Sequence, residues 1–187
     1  MAASVLGLTA TAAGAPGPVI PNDSSFAKQW GDLNTGQQIP GQRPPEELVE
    51  SPVGGLAGAD DRLTEAWEIT TGSSEVVVAV LDTGVDYTNA NLAANIWTNP
   101  TGVGGCPKGA HGLNVLGPLR CDPMDTELVG YRGHGTHVAG IIGAVGNTGS
   151  EVAGVNWHTT LLPVRWLDTA GNGHPENLVT AVREVIA

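Results

Sequence analysis

The chain has 187 residues, 41% of them hydrophobic and 14% charged, which is enough apolar material for a core and too little charge for a disordered acidic tail. Nineteen acidic against eight basic side chains give a formal net charge of -11, which disfavours nucleic acid and anionic membrane surfaces as partners. No apolar run approaches the ~20 residues of a membrane-spanning helix.

Residues 1–20 are small and apolar, with Ala10-Thr11-Ala12-Ala13-Gly14-Ala15 placed like a cleavage region. They lack a basic start and a long leucine-rich stretch, so they read as the remnant of a leader or pro-segment. Residues 21–59 carry Pro40-Gly41, Pro44-Pro45, Ser51-Pro52 and Gly54-Gly55. Such punctuation forbids long regular elements and predicts an irregular arm over the domain surface. From residue 60 to the end the pattern becomes regular. Leu63, Ala66, Trp67 and Thr70 predict a helix over Asp60–Ile69, capped by Asp60 or Asp61. The apolar run Val76–Leu81 predicts a strand buried on both faces that delivers Asp82 at its C-terminal end.

A short helix or turn is expected over Asn89–Ile96, then an insertion-like loop over residues 99–129, longer than ordinary connections and hence functional or stapled. Cys106 and Cys121 lie in it, 15 positions apart. In an exported protein they could close a disulfide worth ~3 kcal/mol by loop entropy, with free thiols as the alternative. In Gly133-His134-Gly135-Thr136-His137-Val138-Ala139-Gly140 a glycine on each side leaves the His134 imidazole at an open surface, and the small residues that follow suit a closely packed helix to Val145. The segment Thr160–Trp166 is the next strand, with Pro163 arguing against a central position. Leu178, Val179, Val182, Val185 and Ile186 predict a last helix over Asn177–Ala187. Strand, helix, strand, helix is the signature of an α/β fold with a mostly parallel sheet and crossovers.

An Asp at a strand end followed by a His at a helix start matches the first two members of an Asp-His-Ser triad in that chain order. Asp82-Thr83-Gly84-Val85-Asp86 and the Gly133–Gly140 stretch resemble the Asp and His motifs of subtilisin-like serine proteases (subtilases, peptidase family S8). So do Pro21-Asn22-Asp23 with Gln29-Trp30-Gly31, and Gly154-Val155-Asn156-Trp157. The resemblance implies a three-layer fold with a mostly parallel central sheet, and hydrolysis of peptide bonds by a serine endopeptidase through an acyl-enzyme. Asp82 would orient His134, and His134 would take the proton of a serine hydroxyl. The family's nucleophile lies in a Gly-Thr-Ser-Met-Ala type motif, and no Gly-Thr-Ser occurs here. The expectation is therefore a sheet incomplete at its C-terminus, a sequence cut at both ends, and 187 residues that are inactive by themselves.

The resemblance places Gly171-Asn172-Gly173 at the edge that pairs with extended substrate backbone. It also places Asn147 in a loop that often binds structural calcium, although neutral Asn91 stands where the family usually has an Asp and the Asn147 loop has one residue more than in the simplest subtilases. Protein or peptide substrates, an extracellular location and no organic cofactor are implied. His137 is expected to support packing rather than to pair with His134 as a metal ligand, and Asp86 to be a polar neighbour of the site. Two other readings are a noncatalytic subtilase-like fragment or binding module, and a retropepsin-like aspartic protease built on Asp82-Thr83-Gly84 with Ile141-Ile142-Gly143. The helical patterns do not suit the all-β fold that the last requires.

Overall fold

The computed structural model describes residues 17–39, 53–102, 104–118, 120–125 and 133–186. Most of the leader stretch, the prolines at 40, 44, 45 and 52, the last part of the 99–129 loop and Ala187 lie outside these residues. The strands are β1 (Gln38–Ile39), β2 (Val53–Gly54), β3 (Gly72–Asp82), β4 (Leu113–Asn114) and β5 (His158–Arg165). The helices are α1 (Leu63–Ala66), α2 (His134–Gly143) and α3 (Pro175–Ile186), with 3-10 turns at Phe26–Lys28 and Ala93–Asn95.

The central sheet has the order β3-β5-β4 and is parallel throughout, with Val77 to Asp82 of β3 in register with Thr160 to Arg165 of β5. Alternation along the strands divides the apolar side chains between two faces. On one face Val80 and Leu161 pack with Ala139 of α2, Val85, Leu92 and Ala144. On the other Val164 packs with Ala181 of α3, Leu113, Val115 and Cys106, joined by Leu81 and Leu162. The result is the three-layer α/β arrangement. Leu161 has no exposed surface, and burial of such a side chain contributes about 1.5–3 kcal/mol.

β3 is not buried on both faces along its length. Val76 and Val77 are 57% and 54% exposed, and burial is complete only toward Val80 and Asp82. Among the described residues β3 pairs with β5 alone, so its first half projects beyond the helices that cover the second.

Pro163, in contrast, sits in the central strand. The Leu161 carbonyl accepts the Trp97 N–H at 2.7 Å and the Arg165 carbonyl accepts the Val115 N–H at 2.9 Å. Pro163 faces that same flank, in the gap between Trp97 and β4, and so its missing N–H costs the β3 ladder nothing. The expected loop over 99–129 likewise contains β4, which adds a short parallel strand to the sheet.

The first predicted helix is only one turn long. Arg62 before it has φ 57°, a left-handed conformation that cannot extend a helix upstream. Asp60 does not cap it. Its oxygens accept the Arg62 N–H at 3.0 Å and the Asn34 N–H at 2.7 Å, tying the helix start to the arm. In α3, Ala181 is buried and Leu178 and Val185 are partly covered, whereas Val179, Val182 and Ile186 point outward. The arm is anchored by an aromatic cluster in which Phe26, Trp67 and Trp157 pack in sequence as tilted pairs, with ring centroids 5.9 and 4.9 Å apart.

Candidate active site

Asp82 ends β3 and His134 begins α2, so the parallel sheet and its first crossover bring them to one edge. His134 Nδ1 lies 2.8 Å from Asp82 Oδ1 and 2.9 Å from Oδ2. The carboxylate is 11% exposed and the imidazole side chain 49% exposed. A carboxylate on Nδ1 favours the tautomer with its proton there and leaves Nε2 as the basic nitrogen, while the exposed half of the ring remains open to a reactant.

The approach is close because of two glycines. A Cβ at Gly135 would run into the Gly84 carbonyl and the Asp82 side chain, and one at Gly84, where φ is 109°, would meet the Pro123 carbonyl. Only glycine lets the helix start press against the strand end. The Asp82 Oδ1 also accepts the Thr83 N–H at 2.7 Å, which fixes the carboxylate's rotation. Asp86 is held beside α2, since its N–H donates to Thr136 Oγ1 at 2.8 Å while its own carboxylate accepts the Thr88 N–H and hydroxyl. His137 is exposed rather than packed, on a groove lined also by Thr136, Gly140 and Ile141. No three His, Cys, Asp or Glu side chains converge on a metal position among the described residues.

Asp125 joins this site from outside both sequence motifs. It is 2% exposed, and its Oδ2 accepts both the Thr83 hydroxyl and the Gly133 N–H at 2.8 Å. No local pattern marks this residue, because it reaches the site from the loop that follows Cys121. The two cysteines are bonded to each other, with Cα atoms 5.3 Å apart, and the staple fixes Cys121, four residues before Asp125.

Gly171-Asn172-Gly173 follows β5, which ends in register with Asp82, so the turn leaves the sheet at the same edge. It is bonded to itself through Asp168. The carboxylate accepts the Ala170 and Asn172 N–H groups at 2.9 Å each, and the Asp168 N–H donates to the Asn172 carbonyl at 2.8 Å. These bonds, the one from Asn172 foremost, hold the Asp168 carboxyl below the usual carboxylate range.

Asn147, at the far end of α2, has φ 60°. Its Oδ1 accepts the Asn22 N–H at 3.2 Å and its own N–H donates to Asp23 Oδ2 at 2.6 Å. Asp23, 5% exposed, also takes the Thr148 N–H and hydroxyl, and Asn91 turns its Nδ2 toward the Val152 carbonyl. The oxygens gathered here are engaged by N–H and O–H donors. As arranged, this donor set does not fit a calcium ion, which needs carboxylate and carbonyl oxygens directed at the metal.

The comparisons with known proteins agree with this geometry. The model of the Subtilase family matches residues 73–187. The chain is 29% identical over 164 residues to the cell wall-associated protease of Bacillus subtilis (strain 168), covering 87% of the chain and 15% of that protein. It is 36% identical over 117 residues to the thermophilic serine proteinase of Bacillus sp. (strain AK1), covering 63% of the chain and 24% of that protein. In fold it is similar to the serine protease of Aeromonas sobria solved with its chaperone, with a TM-score of 0.66, 26% identity, and coverage of 89% of this chain and 24% of that one. It thus spans less than a quarter of the length of these relatives. With the family match extending over β3 to α3, and Asp82 and His134 paired at the sheet edge, the chain belongs to the subtilase family.

Proposed function

We propose that these residues supply the Asp and His of an Asp-His-Ser triad in a serine endopeptidase acting on protein or peptide substrates. The observation that carries this is the Asp82–His134 hydrogen bond, at 2.8 and 2.9 Å, from a nearly buried carboxylate to a half-exposed imidazole. His134 acts as general base toward a serine hydroxyl and then as general acid toward the leaving amine, while Asp82 holds the ring and stabilises the imidazolium. The Gly171-Asn172-Gly173 turn offers its backbone to an extended substrate. The Cys106–Cys121 bond suits an oxidising, extracellular compartment.

The sequence contains no Gly-Thr-Ser, which favours a second reading for these 187 residues taken alone, namely a noncatalytic subtilase segment. Two measurements test both readings. In the first, chain labelled with 15N-histidine shows a low-field Nδ1 proton resonance for His134 that disappears in Asp82→Asn; a spectrum without it, or one indifferent to that substitution, refutes the paired role. In the second, a fluorophosphonate probe leaves the chain unlabelled; stoichiometric labelling would reveal a nucleophilic serine within it and overturn the noncatalytic reading.

A further inference from the structure

Asp125 is a buried carboxylate that the triad chemistry does not use, and its contacts converge on that chemistry. One oxygen, Oδ2, takes two donors at 2.8 Å, the hydroxyl of Thr83 and the N–H of Gly133. The same Thr83 hydroxyl oxygen accepts the Gly135 N–H at 3.1 Å. The residues reached in this way are the neighbour of Asp82 and both neighbours of His134. Asp125 is itself fixed, because Arg165, in register with Asp82 on β5, donates through Nη1 to the carbonyl of the preceding Met124 at 2.8 Å.

The other oxygen, Oδ1, is buried without a hydrogen-bond partner among the described residues. Burial of a charged oxygen unpaired is a cost that a neutral acceptor making the same two bonds would reduce. What the charge adds is stronger, shorter bonds to the hydroxyl and the amide, and a favourable interaction with the positive end of a ten-residue helix. We propose that Asp125 is a positioning residue that sets the Asp82–His134 geometry through Thr83 and the first turn of α2. This rests on the reading of Asp82 as orienting carboxylate and His134 as base.

The test uses the whole 187-residue chain labelled with 15N-histidine, well below its melting temperature, where unfolded chain is negligible. In Asp125→Ala and in Thr83→Val the low-field His134 Nδ1 proton shifts or broadens and exchanges with solvent at least about tenfold faster, whereas Thr83→Ser, which keeps the hydroxyl, retains the original signal. Circular dichroism verifies that each variant is folded. If Asp125→Ala does not fold, the Thr83→Val and Thr83→Ser pair decides, since it breaks and keeps the same bridge with the carboxylate in place. An unchanged resonance and exchange rate in folded Thr83→Val, or in folded Asp125→Ala, overturns the positioning role while the Asp82–His134 reading stands. Absence of the resonance from the unsubstituted chain would sink that reading first and this inference with it.

Discussion

Buried aspartates hold both the start of α2 and the loop that follows its end, and they do different things there. At the N-terminal end Asp125 and Asp82 gather around residues 133–135, and the group they hold is a half-exposed imidazole. At the C-terminal end Asp23 accepts the Asn147 N–H and the Thr148 N–H and hydroxyl, while Asn22 Oδ1 accepts the Gly149 N–H at 2.7 Å. All of these are fixed donors without proton chemistry near pH 7. The same device, a carboxylate on backbone amides, thus stands beside a half-exposed imidazole at the first end alone. The second end is a clamp between the arm and the loop after α2.

The largest effect that would break this contrast concerns the first end. In a polypeptide that carries these residues together with a nucleophilic serine, Asp82→Asn lowers kcat by about 10⁴-fold, as loss of the orienting carboxylate does in other serine proteases; steady-state hydrolysis of a chromogenic peptide measures it. At the other end, Asp23→Ala removes the buried carboxylate that accepts from Asn147 and Thr148, two exposed residues whose donors water can take up, and destabilises the chain by about 1.5–3 kcal/mol, the range for hydrogen bonds to a charged group, read from urea unfolding. The His134 low-field resonance of that variant should be unchanged; its loss would mean that the two ends are one coupled unit.

Reduction of the Cys106–Cys121 bond removes about 3 kcal/mol by loop entropy and loosens the segment that delivers Asp125, so the unfolding midpoint falls in a thiol reductant. Chelation with EGTA leaves the melting temperature where it was, because the Asn147 loop is closed by protein donors. A calcium-dependent rise would show that Asp23 and Asn147 turn their oxygens to the ion.

The smallest effect is a pH dependence at the clamp. Gln29 Nε2 donates to Asp32 Oδ2 and to the Ala153 carbonyl at 2.7 Å each, linking the arm to the loop after α2. Burial, with Asp61 nearby adding to it and the Gln29 bond opposing it, pushes the Asp32 carboxyl up to about 6. The folded state therefore binds this proton more tightly than the unfolded chain. Its contribution to stability is complete below the ordinary carboxylate pKa of about 3.8 and is lost as the pH rises through about 6. Asp32→Asn should flatten that part of the stability profile; an unchanged slope would assign it to other groups.

Much of the site was legible because its parts are local. An apolar run ending in Asp82-Thr83-Gly84 and a glycine-flanked His134 are each contained in a short stretch of chain, and chain order supplies their pairing. The α/β class followed from the alternation of periods in the same way. The exposure of Val76 and Val77 was not legible, since a run of valines looks the same on a covered strand and on one that projects past its neighbours. Nor was the placement of Pro163 at the centre of the sheet, because the sequence does not say which flank lacks a partner at that residue.

Sequence by itself determined the identities that the proposed chemistry requires: a carboxylate and an imidazole in the right order, the small residues that let α2 start against β3, and two cysteines 15 positions apart. Tertiary structure decided which of nineteen acidic side chains take part. Asp125 reaches Thr83 across 42 positions and Asp23 reaches Thr148 across 125. A hydrogen bond depends on the final few ångströms between donor and acceptor, a separation that no pattern of neighbours along the chain encodes.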